Sequence, residues 1–355
     1  MIQRLDIQTV TENSLTAAFT LDRSCPVTAL LRDARNETAL SSGPERTGRF
    51  HFRDLASDTD YTLRLVAREN VLRVMHMRTL STPEGALSAK FAVIADPHVS
   101  TRVGLYKGRL FAESVAVLRE IVREINRERV DFTLVPGDVT DQGLPEEFAL
   151  ASAALAELTC PCLVVPGDHD VLLDATLFEK TFGVAQWAKR LHGLDIIGCN
   201  TAQYSLGPDG FRHIHESLNA ATGRVIMISH TQLLPDEYIV DEDRVIRDWR
   251  LFEERALPTI PRGTIAYVGH KNVPSQLRRG NFFQLNAPQP VQYPCGYLMV
   301  RCYENGIYHN FRPIFSEALN DVSREMSNAR SIPKWEESYR RGSSHELWNF
   351  VFPSH

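Results

Sequence analysis

Seven oxygen- or nitrogen-bearing side chains stand at the ends of apolar runs in this chain. Asp96 and His98 close FAVIADPH, Asp138 follows TLVPG, and Asp168 follows LVVPG; His230 ends VIMISH, His270 ends IAYVGH, and Asn272 lies two residues beyond it. Side chains two apart on an extended segment leave from the same side, so Asp96 and His98 can chelate one ion, and His270 and Asn272 share that relation. Oxygen and imidazole donors without thiolates suit Mn²⁺, Mg²⁺, Fe or Zn²⁺. Seven donors exceed what one ion ordinarily takes from protein, whereas two ions sharing a carboxylate would use them all. Paired ions roughly 3.5–4 Å apart are a standard device for hydrolysing phosphate esters, supplying an acidified water and charge stabilisation for the attacking and leaving oxygens.

Such donors need strands to carry them to one edge. Residues 130–135 form an apolar run rich in β-branched side chains, stopped by Pro136-Gly137, which predicts a buried strand delivering Asp138 at its carboxyl end. Open α/β sheets place their ligands at that end. Residues 109–127 carry apolar side chains at helical spacing, and residues 145–158 form a second such segment with Pro145, Glu146 and Glu147 in its first turn. The alternation of strand and helix predicts largely parallel pairing with right-handed crossovers. A helix is expected around 177–191 and a strand near 194–200. Residues 282–288 (FFQLNAP) and 296–314 read as closing antiparallel strands, with a turn at Glu304-Asn305-Gly306. The tail is expected to begin helical and then strap a sheet edge with its Trp335–Trp348 stretch.

Residues 1–85 have another rhythm. Short alternating runs separated by polar clusters such as TENS and LASDTD predict a small all-β sandwich. The stretch Leu55-Ala-Ser-Asp-Thr-Asp-Tyr61 resembles the tyrosine corner of fibronectin type III domains. The expected division is 1–85 for this unit, 86–315 for an α/β domain, and 316–355 for a tail packed on it.

At 355 residues and 43% hydrophobic content there is room for a large core. A net charge of −5 gives no reason to expect nucleic acid or an anionic membrane as partner. No run reaches the roughly 18–20 apolar residues of a membrane span, and the first residues lack an apolar signal core. The six cysteines lack a disulfide-framework spacing, so reduced thiols in a cytoplasmic protein are expected.

Taken in order, Asp96-Pro-His98, Gly137-Asp-Val-Thr-Asp141, Gly167-Asp-His-Asp170, His230 and Gly269-His-Lys-Asn272 resemble the motif series of the calcineurin-like metallophosphoesterases. The resemblance spans about residues 90–315. It implies an α/β sandwich of mixed sheets flanked by helices, and metal-dependent hydrolysis of a phosphomonoester or phosphodiester. By that resemblance Asp96 and His98 hold metal 1, Asp138 bridges, and His230 and His270 hold metal 2. His169 stands beside the phosphate as general acid or transition-state stabiliser, oriented by Asp170. The implied cofactors are two divalent ions, Mn, Fe, Zn or Mg. The implied partner is a phosphorylated small-molecule or ester substrate.

Two positions depart from that series. Asp168 stands where the family has an Asn ligand to metal 2, and Asn272 where it has a His ligand to metal 1. The exchange adds charge and removes an imidazole, which favours hard ions, Mn²⁺ foremost. It also motivates an alternative, a degenerate metallophosphoesterase acting as a metal-dependent binding or scaffold protein; retention of His169 and Asp170 argues for catalysis. Asp141 stands where purple acid phosphatases carry an iron-binding tyrosine, so a tyrosinate–iron version of the site is not expected. Arg102, Tyr106, Lys107 and Arg109 follow the Asp96 motif and are candidates for contact with a substrate phosphate, weighed equally against an ordinary solvated loop.

Overall fold

The computed structural model describes residues 2–68, 70–106, 108–236, 244–271, 273–328 and 345–353. Lys107, Asn272 and Trp335, singled out above, lie outside the described residues.

Two antiparallel sheets form the N-terminal unit. One orders Ile2–Val10, Leu15–Cys25 and Glu45–Phe52; the other orders Glu37–Ser41, Thr28–Arg32, Asp60–Ala67 and Asn70–Arg78. Alternation in Asp60–Ala67 buries Tyr61, Leu63 and Leu65 and leaves their neighbours less covered, the period-two pattern of a half-buried strand. These side chains meet Ile7, Phe19 and Phe50 in one core, with the Phe19 and Phe50 rings stacked at 5.3 Å. The Tyr61 hydroxyl accepts from the Ala56 amide at 2.9 Å, tying the corner before its strand.

This sandwich rests on the rest of the chain through buried charge. Arg4 lies between Asp6 at 3.1 Å and Glu317, and Glu317 also accepts from Gln8 at 2.9 Å and Arg49 Nε at 2.7 Å. At the other end Glu12 accepts from both Arg301 Nη atoms, at 2.9 and 2.7 Å, and from the Tyr308 hydroxyl at 2.8 Å. Burial works against the Glu12 charge, but the Arg301 hydrogen bonds outweigh it and lower its pKa to about 2. A depressed carboxyl stabilises the fold above its unfolded pKa, and that contribution is lost as pH falls through the folded value. The stability difference between the parent and Glu12→Gln should therefore shrink as pH drops from about 4.5 towards about 2. Urea midpoints across that window test it; a difference that stays constant would remove Glu12 from the acid response.

The larger unit is built on two six-stranded mixed sheets. The first orders Cys162–Val165, Phe132–Pro136, Leu87–Val93, Gly296–Tyr303, Gly306–Pro313 and Phe350–Pro353, the first three parallel and the others antiparallel. The second orders Trp187–Leu191, Leu194–Cys199, Arg224–Ser229, Thr264–Val268, Phe282–Asn286 and Gln276–Arg279, with four parallel strands inside two antiparallel edges. Their inner faces share one core, in which Phe91 stacks on Phe132 at 4.7 Å and meets Tyr267 edge-on at 5.7 Å. The helices Ser114–Glu128 and Pro145–Leu155 cover the outer face of the first sheet, and Gly207–Ala220 covers that of the second. The result is the α/β sandwich of mixed sheets that the family resemblance implied.

Three segments differ from the sequence reading. The expected helix at 177–191 ends at Phe182, where Gly183 turns with φ +90°; Trp187–Leu191 is a strand instead. His192 and Gly193, both at positive φ, make the two-residue loop to Leu194–Cys199 that a tight hairpin requires. Phe282–Asn286 is antiparallel to Gln276–Arg279 but parallel to Thr264–Val268 on its other side, because Gln276–Arg279 has already reversed the chain once. Arg109–Leu110 belongs to a short hairpin with Leu105–Tyr106, and the helix starts at Ser114.

After the helix Glu317–Asn328, Trp348 is buried, donating from Nε1 to the Asn286 carbonyl at 2.8 Å, and Phe350–Pro353 adds an edge strand. All six cysteines are free thiols. Among the described residues no helix is long and apolar enough to cross a membrane.

Candidate metal centre

Five strand ends converge where the two sheets face each other. The first sheet delivers Asp96 and His98 after Leu87–Val93, Asp138 after Phe132–Pro136, and Asp168 after Cys162–Val165; the second delivers His230 and His270. Glycines permit this approach. Gly137 turns at φ +81°, and a Cβ there would lie 2.6 Å from His230. Four donors themselves sit in left-handed backbone, Asp96 (φ 46°), His98 (39°), Asp138 (49°) and His270 (67°), a concentration that marks functional sites.

On one side, Asp168 Oδ1 lies 2.9 Å from His230 Nε2 and 3.1 Å from His270 Nδ1, while Asp138 Oδ2 is 3.3 Å from His230 Nε2. His230 Nδ1 stands 3.1 Å from the Pro136 carbonyl. That carbonyl can only accept, so the proton belongs on Nδ1, and Nε2 faces the cluster. On the other side, His98 Nε2 lies 3.6 Å from Asp138 Oδ2, so Asp138 stands between the two groups. Asp96 turns its Oδ2 to Gln289 Nε2.

The charges are distributed unevenly. Burial works against an imidazolium at His230, yet the Asp138 and Asp96 carboxylates outweigh it and raise its pKa well above the usual value. Burial foremost, with the Arg109 charge, holds His98 well below. Burial also lowers His270. At Asp168 burial opposes ionisation, but hydrogen bonds from His230 and His270 keep it ionised.

A cation fits this donor set. Among the described residues, Asp96 Oδ1 and both ring nitrogens of His98 are buried without a hydrogen-bond partner, an arrangement that costs free energy unless something else satisfies them. Asp96, His98 and Asp138 offer atoms within 4.8 Å of one another, as do Asp138, Asp168, His230 and His270. Nitrogen and oxygen donors without sulfur suit divalent ions of the harder and borderline kind.

His169 sits beside the cluster, its ring edge-on to His98 at 4.8 Å and its amide donating to Asp138 Oδ1 at 2.9 Å. Its expected pairing with Asp170 is not what the structure shows. Asp170 is buried behind the loop, accepting from the amides of Val139 (3.1 Å), Thr140 (2.8 Å) and Gly167 (2.9 Å) and from Thr140 Oγ1 (2.8 Å). Four donors fill its oxygens, so it braces the two Gly-Asp turns against each other. Burial, with the Asp138 charge, pushes its pKa up to about 6. The ring of His169 is held instead by the Asp141 carbonyl, which hydrogen-bonds Nδ1.

Several contributors carried no role in the sequence reading. Gln289 and Tyr204 come from loops whose order has no period to read. Glu147 is buried and accepts from the Gln142 amide at 2.7 Å and the Thr101 amide at 3.2 Å, tying two site loops to one helix start. Arg102 and Arg109 both face Asp141, at 3.4 and 3.8 Å, while Tyr106 is exposed.

The sequence model of the calcineurin-like phosphoesterase family matches residues 89–274. The chain belongs to the calcineurin-like phosphoesterases. Shorter similarities link it to "Glycerophosphodiester phosphodiesterase GpdQ" of Enterobacter lignolyticus, 36% identical over 81 residues, 22% of this chain and 28% of that protein. A probable GpdQ of Arcobacter nitrofigilis is 27% identical over 109 residues, 29% of this chain and 37% of that one. The matches thus span less than two fifths of these curated relatives' length. Among solved structures, a dimetal phosphatase from Danio rerio superposes with TM-score 0.55 at 11% identity, covering 64% of this calcineurin-like chain and 97% of its own. PhoD superposes with TM-score 0.50 at 10% identity, covering 87% and 85%. At such identities the two structures speak for the shared fold alone.

Proposed function

We propose that this calcineurin-like phosphoesterase hydrolyses a phosphodiester at a binuclear centre. Asp96, His98 and Asp138 hold one ion, and Asp138, Asp168, His230 and His270 hold the other. The observation that carries this reading is a pair of donor groups sharing Asp138, with buried atoms of Asp96 and His98 that no hydrogen bond satisfies among the described residues. Asn272 is proposed to complete the first group. Divalent ions held there supply Lewis acidity toward phosphoryl oxygens and an acidified water as nucleophile.

The chain's own contribution is orientation and proton handling. Since the Asp141 carbonyl requires hydrogen on His169 Nδ1, Nε2 is the atom that meets substrate; the imidazolium form gives its Nε2 proton to the leaving oxygen and is left as the neutral Nδ1–H ring. Asp138 Oδ1 is fixed by the His169 amide, so the position of the acid and that of the shared carboxylate are set together. The extra charge at Asp168 supports the diester reading: a dianionic monoester is repelled about twice as strongly as a monoanionic diester. The GpdQ relatives, named as glycerophosphodiester phosphodiesterases, point the same way. The charge and the neutral donor at Asn272 favour Mn²⁺ over zinc or iron.

The N-terminal sandwich is proposed to be of fibronectin type III kind, ending near residue 85. The Tyr61–Ala56 corner and the three- and four-stranded sheets support that reading. The free thiols are consistent with a cytoplasmic location.

Elemental analysis of metal-replete protein should find two ions per chain, and a diester should be turned over faster than a monoester of the same alcohol. One ion per chain would reduce the centre to a mononuclear one, and a monoester preference would overturn the diester assignment.

A further inference from the structure

Asp168 has two oxygens with different surroundings. Oδ1 points to His230 and His270, whereas Oδ2 accepts a hydrogen bond from the Tyr204 hydroxyl at 2.8 Å. An asparagine here would offer one oxygen and an amide that donates. An aspartate offers a second acceptor instead, in a largely buried position where an unmet carboxylate oxygen is costly. Tyr204 meets that need.

Its placement is elaborate for a loop residue. Tyr204 adopts left-handed backbone, φ 59°, which a bulky side chain occupies only at a cost. Its carbonyl accepts from the Arg247 amide at 2.8 Å, and the Arg247 guanidinium lies 5.7 Å from the ring centroid. The ring also stands edge-on to His270 at 5.4 Å. Every one of these contacts holds the phenol over the Asp168–His270 side of the cluster.

We propose that Tyr204 is a positioning residue for the Asp168 cation. Its hydroxyl takes Oδ2, fixes the carboxylate plane and leaves Oδ1 directed at the ion, so that Asp168 and Tyr204 act as a matched pair. This rests on the reading that Asp168 holds a cation. Partners that orient a ligating carboxylate are worth about 10–100-fold in metal affinity.

The test is a double-variant cycle on metal-free full-length protein titrated with Mn²⁺ alone by calorimetry. Tyr204→Phe removes only the hydroxyl and should weaken one ion's affinity by about 10–100-fold while leaving the other within about twofold. In an Asp168→Asn background the same change should shift neither affinity by more than about twofold, because the acceptor is gone. An equal loss in both backgrounds would make the role structural and overturn the proposal. An affinity that depends on Asp168 but not on Tyr204 would overturn this inference alone. If no Mn²⁺ affinity depends on Asp168, the reading beneath it fails as well.

Discussion

Replacing His169 with alanine should lower turnover by roughly 10²–10⁴-fold, the scale of a positioned acid–base group, while the metal content stays that of the parent. Two contacts lead to this expectation. The Asp141 carbonyl fixes the ring through Nδ1, and the backbone amide, which alanine retains, is the group that bonds Asp138. The substitution thus removes the ring and keeps the brace on the shared carboxylate. Steady-state rates on an aryl diester, with elemental analysis of the same samples, separate the two quantities. Loss of metal alongside rate would make His169 a ligand; unchanged turnover would remove it from the chemistry. Asp141→Ala keeps the carbonyl and should cost the His169 function far less than loss of the ring.

The second large effect lies away from the centre. Glu317→Ala should destabilise the protein by about 3–5 kcal/mol, the usual result of removing one partner of a buried ion pair. Arg4 and Glu317 are both nearly sealed from solvent, and Glu317 accepts from Arg49 and Gln8 as well as Arg4. Asp6, 3.1 Å from Arg4, keeps the loss towards the lower end. Arg4→Met combined with Glu317→Leu should recover much of it, since apolar replacement of a whole buried pair is often neutral. Denaturant midpoints of the three proteins test this, and a single variant within about 1 kcal/mol of the parent would contradict it.

The donors were legible because each is tied to a strand end. An apolar run ending in a carboxylate or imidazole, with a glycine before Asp138, Asp168 and His270, forms a pattern that survives in one dimension, and the structure brings Asp96, His98, Asp138, Asp168, His230 and His270 together. The sheet order followed less well. The segment 177–191 has apolar spacing that suits a helix, and only Gly183 and the His192-Gly193 turn divide it. What orients the donors was hardly legible at all. Asp170 looks like the natural partner of its neighbour His169, but its oxygens are taken by amides from the Asp138 loop. Asp141 acts on His169 through a backbone carbonyl, for which no side-chain type can be diagnostic. Tyr204 and Gln289 reach the centre from loops, where sequence distance carries no information about spatial distance.

The left-handed backbone at Asp96, His98, Asp138 and His270 has a consequence for how such a chain drifts under mutation. Glycine at any of these positions would release conformational strain of about 1–2 kcal/mol and give back about 0.5–1 kcal/mol as extra freedom of the unfolded chain. These backbone gains would be set against the buried neighbours left unmet, such as His230 beside Asp96 and Asp138. Foldability therefore guards these positions through their buried neighbours and not through their backbone. A lineage released from the need for that chemistry would shed its donors in company, each together with the neighbour that it had kept satisfied.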